Sequence, residues 1–494
     1  METKDKETKP VGQKDMFLDI KGTVTGAELN KKRVLSLLLA VALFFLAQLV
    51  PLDQYGEKAS LALGLIVACI SMWVTNCVHV LIPGLLLNFG SVLLGIVDYS
   101  VIANSLGNSP LFAMTGMMIV SLGAEKTNFG RRVAYFMLAK LGKKPTLIVL
   151  AMMIATAILS AFISNLATTV MMAGVAVGIL NAMDERPGES AFGKILMICI
   201  PLGAMIGGMA LINGSPACNA TGISVLESAT QGAHTIDYAT WAKIGIPAAL
   251  LCLIPGWLFY VKWFKFKNSD VKTVEQSYYV EKLHSLGKMG GSEYRWIITV
   301  IAMVICLLTG MKLPMAGLVF GFITICPLVG TVKPAAAFKD VPFAVLLNTA
   351  LVPLFGTLFT TTGLSAAIGS VITPIIGNMS PVIIMIILAA LMGIFNNIFI
   401  NAIPGMLAIF VGGTAAVVTS MGFNPTIVLL PTIFLASFTL CSSAQTNMLL
   451  TFGYNYWKPN DPFVPGMIFS LMAAVITSVV CALLGPLMGI SLYL

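Results

Sequence analysis

The sequence predicts an all-α polytopic membrane protein built from two repeats of opposite orientation, and three observations support this prediction. Hydrophobic residues make up 57% of the 494 residues and charged residues only 10%, whereas a soluble domain has about 25% charged residues. Apolar runs long enough to cross a bilayer follow one another along the chain. Two of these runs carry a polar pair near the centre, at Ser164-Asn165 and at Asn396-Asn397.

The chain begins with a polar, basic segment, residues 1–33, which lacks the apolar core of a signal peptide and is expected to be a cytoplasmic tail. Residues 34–263 form the predicted first repeat. Within it, residues 145–183 contain no charged side chain and no His, and the run is about twice as long as a membrane-spanning helix requires. A re-entrant hairpin with a protein-buried Ser-Asn tip fits this run. Two neighbouring helices tied together by the same side chains fit it as well.

A Gly- and Ser-rich interruption follows inside the next apolar segment, residues 192–226, and predicts a helix broken around Asn213–Asn219. Residues 264–294 are hydrophilic and are expected to form a cytoplasmic linker. Residues 295–494 repeat the plan, with one span at Pro342–Thr361, a hairpin at 381–418 and a broken helix at 427–452. Two polar tips and two broken helices in the same order are typical of transporters with internal repeats, here with about 11 transmembrane helices.

Basic residues collect in the tail, in residues 126–144 and in residues 262–295. The positive-inside rule places these segments, and the N-terminus, on the cytoplasmic side of a cell membrane (plasma or inner). The same assignment puts the second half of the chain upside down relative to the first. It therefore favours an inverted repeat.

The predicted spans contain no Asp or Glu, and residues between Val341 and Trp457 carry no charge. A proton relay needs buried carboxylates or His, and no catalytic constellation or cofactor motif is present, so the sequence does not favour an enzyme. Helix N-termini at the tips and breaks attract anions, while Ser, Asn and main-chain oxygens suit an alkali cation. These groups favour transport of an organic anion together with sodium.

The order of an SNxATT tip, a GGxA…NGSPxxN broken helix and a second copy of both resembles the divalent anion–sodium symporter family, the dicarboxylate and citrate carriers of the ion transporter superfamily. The resemblance covers nearly the whole chain from about Val34. It implies a sodium-coupled importer that works as a homodimer in the lipid bilayer and binds no nucleic acid. It also implies an elevator-type transport domain that moves against a fixed scaffold, with substrate held between the two tips.

The resemblance also implies the site residues. Sodium is expected at Ser160, Ser164, Asn165 and Gly214 on the first side, and at Phe395, Asn397 and Ser443 on the second. Substrate is expected to contact Asn165, Leu166, Ser215, Asn397, Ile398 and Ala444. Leu166 and Ile398 stand where the family usually has threonine. The resemblance implies an organic anion such as a di- or tricarboxylate or a related carboxylate or sulfonate. The two lost hydroxyls disfavour an ordinary C4-dicarboxylate and favour an anion with a less polar body or with only one strongly charged end.

An anion exchanger or a proton-coupled anion carrier on the same fold is the alternative. It stays open because the second tip departs from the family, with Asn396 in place of serine and Met392 in place of threonine. Asn219 is interpreted as a loop-stabilising hydrogen bonder rather than a ligand. Arg132 is interpreted as an anchor at the membrane surface.

Overall fold

In the computed structural model of the chain, residues 31–75, 78–107, 109–265, 268, 271–272, 274–399 and 402–494 are described. Helices dominate this part of the chain, and it contains no β-strand; an isolated antiparallel bridge joins Phe423 to Tyr493. The predicted tail, residues 1–33, lies almost entirely outside the described residues.

Proline opens several helices of the first half, because its missing N–H is not needed in the first turn. Pro145 and Pro216 occupy this position. The helices up to the linker are α1 (Lys31–Ala47), α2 (Ala59–Thr75), α3 (Leu81–Leu93), α4 (Tyr99–Leu106), α5 (Ser109–Glu125), α6 (Phe129–Leu141), α7 (Pro145–Phe162), α8 (Asn165–Ala182), α9 (Ala191–Gly208), α10 (Pro216–Ala229), α11 (Tyr238–Trp263) and α12 (Gln276–Ser285).

The second half contains shorter pieces, and one segment of it is π-helical. Its helices are α13 (Gly291–Leu308), α14 (Leu313–Ile325), α15 (Pro334–Asp340), α16 (Phe343–Leu351), α17 (Leu354–Thr361), α18 (Leu364–Ile376), α19 (Pro381–Ile398), α20 (Ile403–Leu407), the π-helical segment Ala408–Gly412, α21 (Gly413–Ser420), α22 (Pro425–Val428), α23 (Leu430–Leu435), α24 (Thr446–Phe452) and α25 (Phe463–Leu487).

Eight helical segments among the described residues are long and apolar enough to cross a membrane, or up to nine if a bent pair counts as one span. They are Pro145–Phe162, Asn165–Ala182, Ala191–Gly208, Tyr238–Trp263, Gly291–Leu308, Pro381–Ile398, Ile403–Ser420 and Phe463–Leu487. The prediction of an all-α polytopic membrane protein is confirmed. Both arms of each predicted hairpin belong to the eight, so their re-entrant path stays a prediction.

The span predicted at Pro342–Thr361 is not one straight helix. It divides into α16 and α17 around Val352 and Pro353, because proline has no N–H to continue the hydrogen-bond ladder. A further bend of 73° separates Leu346–Thr361 from Leu364–Val371, at Gly363. Gly363 has a φ of +79°, a left-handed conformation that glycine adopts without strain. This bend lies beyond the end of the predicted span at Thr361, so the span itself stays a prediction.

The two halves pack their corresponding elements in the same way. The first arm of each hairpin lies against the first half of the following broken helix, α7 on α9 and α19 on α23. The second arms also cross between the halves: α8 packs on α24 as well as on α9 of its own half, and α10 packs on α20 and the π-helical segment. Helices α11 and α25, which follow the two breaks, pack on each other. A two-fold axis between the halves would produce this pattern, and the inverted repeat stays a prediction.

Helices α5 and α14 cross with their main chains in contact. A Cβ added at Gly116 would overlap the main chain of Gly317, and one at Gly317 would lie 2.7 Å from the carbonyl oxygen of Ala113. Small residues at such a crossing let two membrane helices approach closely. This crossing joins the part of the first half that precedes its hairpin to the corresponding part of the second half.

Arg132 on α6 holds the linker. Its Nε lies 3.2 and 3.1 Å from the two carboxylate oxygens of Glu293. Its Nη1 donates to the carbonyl of Gly287 at 2.8 Å, and its Nη2 donates to those of Leu286 and Lys288 at 3.1 Å. The prediction of a membrane-surface anchor is wrong for this residue, because its side chain is only 14% exposed and is engaged by the linker.

Candidate functional site

The first polar pair lies at a true interruption between helices. Helix α7 ends at Phe162, and Ile163 is extended with φ −119° and ψ 151°. Ser164 is the N-cap of α8, and its side chain accepts from the N–H of Ala167. Asn165 is the first residue of α8 and is only 6% exposed. The N-terminal, electropositive end of α8 therefore opens at the tip.

Three oxygen atoms surround the side-chain amide of Asn165. With its nitrogen turned toward them, the amide donates to Ser160 Oγ at 2.6 Å, to the carbonyl of Ala204 at 2.9 Å and to that of Gly214 at 3.2 Å. Ser160 lies two residues before the end of α7 and is fully buried. A side chain and two main-chain segments thus present oxygen to one point. Of the predicted sodium residues, the structure brings Ser160, Asn165 and Gly214 together.

Glycine permits this approach. A Cβ at Gly208 would overlap the Asn165 amide, and a Cβ at Gly214 would lie 2.5 Å from the carbonyl oxygen of Ser160. Gly208 is the last residue of α9, so α9 ends where the tip inserts. Helix α10 then starts at Pro216, with Ser215 as its buried N-cap.

Asn219 supports the first break from within its own helix, α10. Its Nδ2 donates to the carbonyls of Gly208, Leu211 and Ile212 at 2.9, 3.2 and 3.3 Å. Carbonyls released by an unwound segment need partners when they are buried. The interpretation of Asn219 as a loop-stabilising residue agrees with these contacts.

The second polar pair is placed differently. Asn396 and Asn397 lie in the last turn of α19, which ends at Ile398, and both side chains are buried. Phe399 is extended, and the next helix begins at Ile403. The first pair thus opens a helix, whereas the second pair closes one. Main-chain carbonyls, with their partial negative charge, therefore dominate this second position.

The Asn397 amide is fully engaged by the protein. Its Nδ2 contacts the carbonyls of Gly393 and Phe438 at 2.8 and 3.3 Å, and Ser470 Oγ at 3.0 Å. Its Oδ1 accepts from the N–H groups of Leu440 and Cys441 at 2.6 and 3.0 Å. Turning this amide over would set its N–H groups against two other N–H groups, so its orientation is locked.

The second break runs from the end of α23 at Leu435 to the start of α24 at Thr446. The Nδ2 of Asn396 donates to the carbonyl of Ala436 at 2.6 Å. In return, Gln445 donates from its Nε2 to the carbonyl of Asn396 at 2.9 Å. Gln445 is the N-cap of α24 and is 3% exposed. The tip and the break are thus joined in both directions.

The other predicted residues lie around these two centres. Leu166 is half-buried on α8, while Ile398 is 50% exposed at the end of α19. Ser443 and Ala444 occupy the turn before α24, the first half-buried and the second exposed. The Phe395 carbonyl accepts from the N–H of Phe399 at 2.8 Å.

Sequence reasoning missed Ala204, Gln445 and Ser470. Ala204 contributes only its main-chain oxygen, which no side-chain pattern reveals. Ser470 meets Asn397 from a distant helix, α25, at a contact that sequence spacing does not encode. Gln445 carried a usable signal, since a side-chain amide in a break otherwise made of small or apolar residues needs a hydrogen-bond partner when it is buried.

The site is electrically neutral in its side chains. Among the described residues, no group of three or more His, Cys, Asp or Glu could hold a metal ion together. Its field comes instead from helix ends, with N-termini of α8, α10 and α24 at the tip and breaks. Broken helices that present main-chain oxygens and N–H groups inside a membrane bundle are the binding architecture of secondary transporters.

The fold and the site thus define a membrane transporter. Residues 66–433 match the model of the CitMHS family, described as citrate transporter, and the chain belongs to this family. The recognition of a divalent anion–sodium symporter relative within the ion transporter superfamily is confirmed.

Two curated relatives are called sodium-dependent dicarboxylate transporter SdcS. The one from Staphylococcus saprophyticus is 29% identical over 276 residues, which cover 53% of this chain and 51% of that protein. The one from Staphylococcus aureus is 28% identical over 232 residues, 44% of this chain and 42% of that protein. The chain therefore spans about half the length of the curated relatives it matches.

A solved structure has a similar fold. Neisseria gonorrhoeae MtrF, described as illuminating a class of antimetabolite efflux pumps, matches with a TM-score of 0.50 and 11% identity, over 75% of this chain and 80% of that protein. At this identity the likeness concerns the fold alone.

Proposed function

We propose that the protein is a sodium-coupled secondary active transporter that imports an organic anion, a di- or tricarboxylate or a related carboxylate or sulfonate. The observation that carries the proposal is the set of oxygens around Asn165. Ser160 Oγ and the carbonyls of Ala204 and Gly214 all lie within 3.2 Å of one amide atom. The two staphylococcal relatives are called sodium-dependent, which also supports sodium as the coupling ion.

In this proposal the side-chain amide of Asn165 has two orientations. Without sodium, its nitrogen faces the three oxygens and donates hydrogen bonds to them. When the amide turns by 180°, it presents Oδ1 in place of Nδ2. Four oxygens then face one another, and this arrangement is stable only with a cation between them. Carbonyls from unwound segments and from helix C-terminal ends bind sodium in transporters of this architecture. Ser164, at the N-cap of α8, completes the predicted set beside this position.

The anion is proposed to lie next to that cation, against the N-terminal ends of α8 and α10. Asn165, Leu166 and Ser215 belong to those ends, while Asn397, Ile398 and Ala444 belong to the opposite side. Since the Asn397 side chain is engaged by the protein, its share in binding is assigned to the main chain around it. Leu166 and Ile398 would pack on an apolar part of the anion.

The larger architecture belongs to the same proposal. Residues 34–263 and 295–494 are taken as inverted repeats joined by a cytoplasmic linker at 264–294. The hairpins, the broken helices, α11 and α25 would form the moving domain of an elevator, and the remaining spans its scaffold. The working unit is taken as a homodimer in the cell membrane with a cytoplasmic N-terminus. Helices α5 and α14 are assigned to the scaffold because their main chains are in direct contact where they cross.

The test uses proteoliposomes and radiolabelled citrate or succinate. Uptake should require an inward sodium gradient, fail when choline replaces sodium, and fall to background in Asn165→Ala. The matched control is Asn181→Ala, because Asn181 is exposed at the far end of the same helix and its loss should leave uptake unchanged. Full uptake without sodium would contradict the proposal, and uptake driven only by internal anion would favour the exchanger.

A further inference from the structure

Helix α6 and the residues on either side of it carry an excess of positive charge. Residues 126–144 contain six basic and no acidic side chains. Lys126 is paired with Asp340 at 2.8 Å. Arg132 is paired with Glu293 of the linker end. The other four basic side chains are exposed and form no ion pair with a described carboxylate: Arg131, Lys140, Lys143 and Lys144. This surface therefore favours a negatively charged partner.

The linker helix α12 packs on α6 and is held there by specific contacts. Gln276 donates from its Nε2 to the carbonyl of Ala139. The ring of Tyr279 is fully buried, and a Cβ added at Gly142 would lie 2.9 Å from it. We call α6 and α12 together the basic platform, because these contacts join them into one surface.

The basic platform lies where membrane spans begin and end. Helix α7 starts at Pro145, directly after Lys144, and α6 packs on it. Helix α11 ends at Trp263, just before the linker, and Trp263 is 41% exposed. Tryptophan side chains are enriched at the boundary between bilayer and water. The basic platform is therefore placed at the level of the lipid headgroups.

One face of α6 combines apolar side chains with a lysine. Phe136 is 50% exposed, and Lys140, one turn later, places its Nζ 5.6 Å from the centre of the Phe136 ring. Val133 and Met137 lie on the same face and are half-buried. An apolar strip with a lysine whose ammonium group reaches water is typical of a helix that lies in the membrane interface. The partner of this face is therefore lipid.

A second group of side chains lies at the seam between α6 and α12, around Tyr135 and Tyr278. Arg131 is one turn before Tyr135, and Lys282 places its Nζ 5.4 Å from the centre of the Tyr278 ring. Burial and the neighbouring Tyr278 raise the pKa of Tyr135. The positive charges of Lys282 and Arg131 act in the opposite direction, so both cations are close to this phenol. Burial and then the charge of Glu281 raise the pKa of Tyr278. Two cations beside phenol O–H groups suit a phosphate.

We propose that the seam between α6 and α12 binds the phosphate of an anionic membrane phospholipid. Arg131 and Lys282 balance the phosphate charge, and the hydroxyl of Tyr135 donates to a phosphate oxygen. The Phe136 side chain lies against the acyl chain, which a free phosphate ion lacks. The lipid thereby ties the linker between the two halves of the chain to the membrane surface. Lipid binding at this place depends neither on sodium nor on the transported anion.

The experiment measures lipid binding to the full-length protein in detergent micelles by native mass spectrometry. The probes are palmitoyl-oleoyl phosphatidylglycerol and the zwitterionic phosphatidylcholine with the same acyl chains. Wild type should bind the anionic lipid more tightly. The double variant Arg131→Gln with Lys282→Gln should bind it about tenfold more weakly, because two attracting cations are lost. Tyr135→Phe keeps the charge but removes one hydrogen bond, so it should bind about fivefold more weakly.

The matched control is Lys333→Gln with Lys339→Gln. It removes the same charge from two exposed lysines, at the N-cap of α15 and within α15, and should keep the wild-type affinity. The exchange Arg131→Lys with Lys282→Arg keeps both charges and should also bind phosphatidylglycerol like wild type. Variants that elute as monodisperse protein in gel filtration are the ones compared.

Four results would overturn the proposal. The first is wild type that binds both lipids equally. The second is an equal loss in the seam variant and in the Lys333 and Lys339 control, because overall charge would then explain the effect. The third is wild-type affinity in Tyr135→Phe. The fourth is binding of free glycerol 1-phosphate as tight as that of phosphatidylglycerol, which would assign the seam to a soluble phosphate.

Discussion

Replacing Asn397 with alanine should destabilise the protein strongly even when no sodium or substrate is present. The substitution removes the only side-chain acceptor that the structure shows for the N–H groups of Leu440 and Cys441, among the described residues. It also removes a donor from the carbonyl of Phe438. These groups lie in the unwound part of the second break, where all side chains from Pro431 to Cys441 are buried.

The magnitude follows from the number of groups left unpaired. A buried donor or acceptor without a partner costs about 1–3 kcal/mol. Two N–H groups and one weakly bonded carbonyl give about 3–5 kcal/mol for Asn397→Ala, allowing for some relaxation. Ser470→Ala is the comparison, because it removes a single partner from the same amide, whose nitrogen keeps two carbonyls. Its expected effect is about 1 kcal/mol.

The assay is equilibrium unfolding in mixed micelles, or in bilayers by steric trapping, in sodium-free buffer. A third variant, Asn397→Asp, keeps an oxygen acceptor for the two N–H groups and should fall between the other two. Equal stabilities of Asn397→Ala and Ser470→Ala would refute the reasoning, since they would mean that water satisfies the break. A stability loss seen only with substrate bound would make Asn397 a ligand instead of a support.

Three further predictions concern other parts of the fold. Gly208→Ala should abolish sodium-dependent thermal stabilisation, since its Cβ would overlap the tip amide, whereas Gly174→Ala on α8, with open space at its Cβ, should not; a normal sodium response in Gly208→Ala would contradict the tip geometry. Arg132→Met should cost about 3–5 kcal/mol in unfolding, because it leaves the buried Glu293 carboxylate unpaired, and adding Glu293→Met should recover much of it. Asp237→Ala should cost about 1 kcal/mol as a lost N-cap of α11. Burial raises the pKa of Asp237, but hydrogen bonds from the first turn of α11 outweigh it and lower the pKa below 3.8. This stabilisation should therefore be complete at neutral pH and be lost only as pH falls through that lowered pKa, as thermal unfolding at different pH values would show.

The sequence was sufficient for the fold class and for the position of the interruptions. Uncharged runs separated by polar pairs and Gly-rich breaks encode helix ends locally, since Pro145, Pro216 and Pro381 start helices and Ser164 caps one. These signals act within a few residues along the chain. These helix-end signals can therefore be recognised without knowledge of how the helices pack.

The roles of the amides could not be obtained in this way. Asn165 and Asn397 look alike in sequence, yet one follows a helix end and the other precedes one, a difference of a few residues at a boundary. Most of their partners come from more than 35 residues away, as with Ala204 for the first and Ser470 for the second. The same holds for Arg132, whose partner Glu293 is 161 positions further along the chain.

The two breaks receive their support from different places, and this limits which pieces of the chain can be exchanged. Three carbonyls of the first unwound segment, those of Gly208, Leu211 and Ile212, are held by Asn219 of the same broken helix, and Asn165 of the preceding hairpin reaches only the carbonyl of Gly214 in that segment. The second unwound segment is held by Asn397, which belongs to the preceding hairpin. A chimera that grafts the first broken helix onto a relative can be cut between hairpin and break. One that grafts the second must move residues 381–452 as a single block.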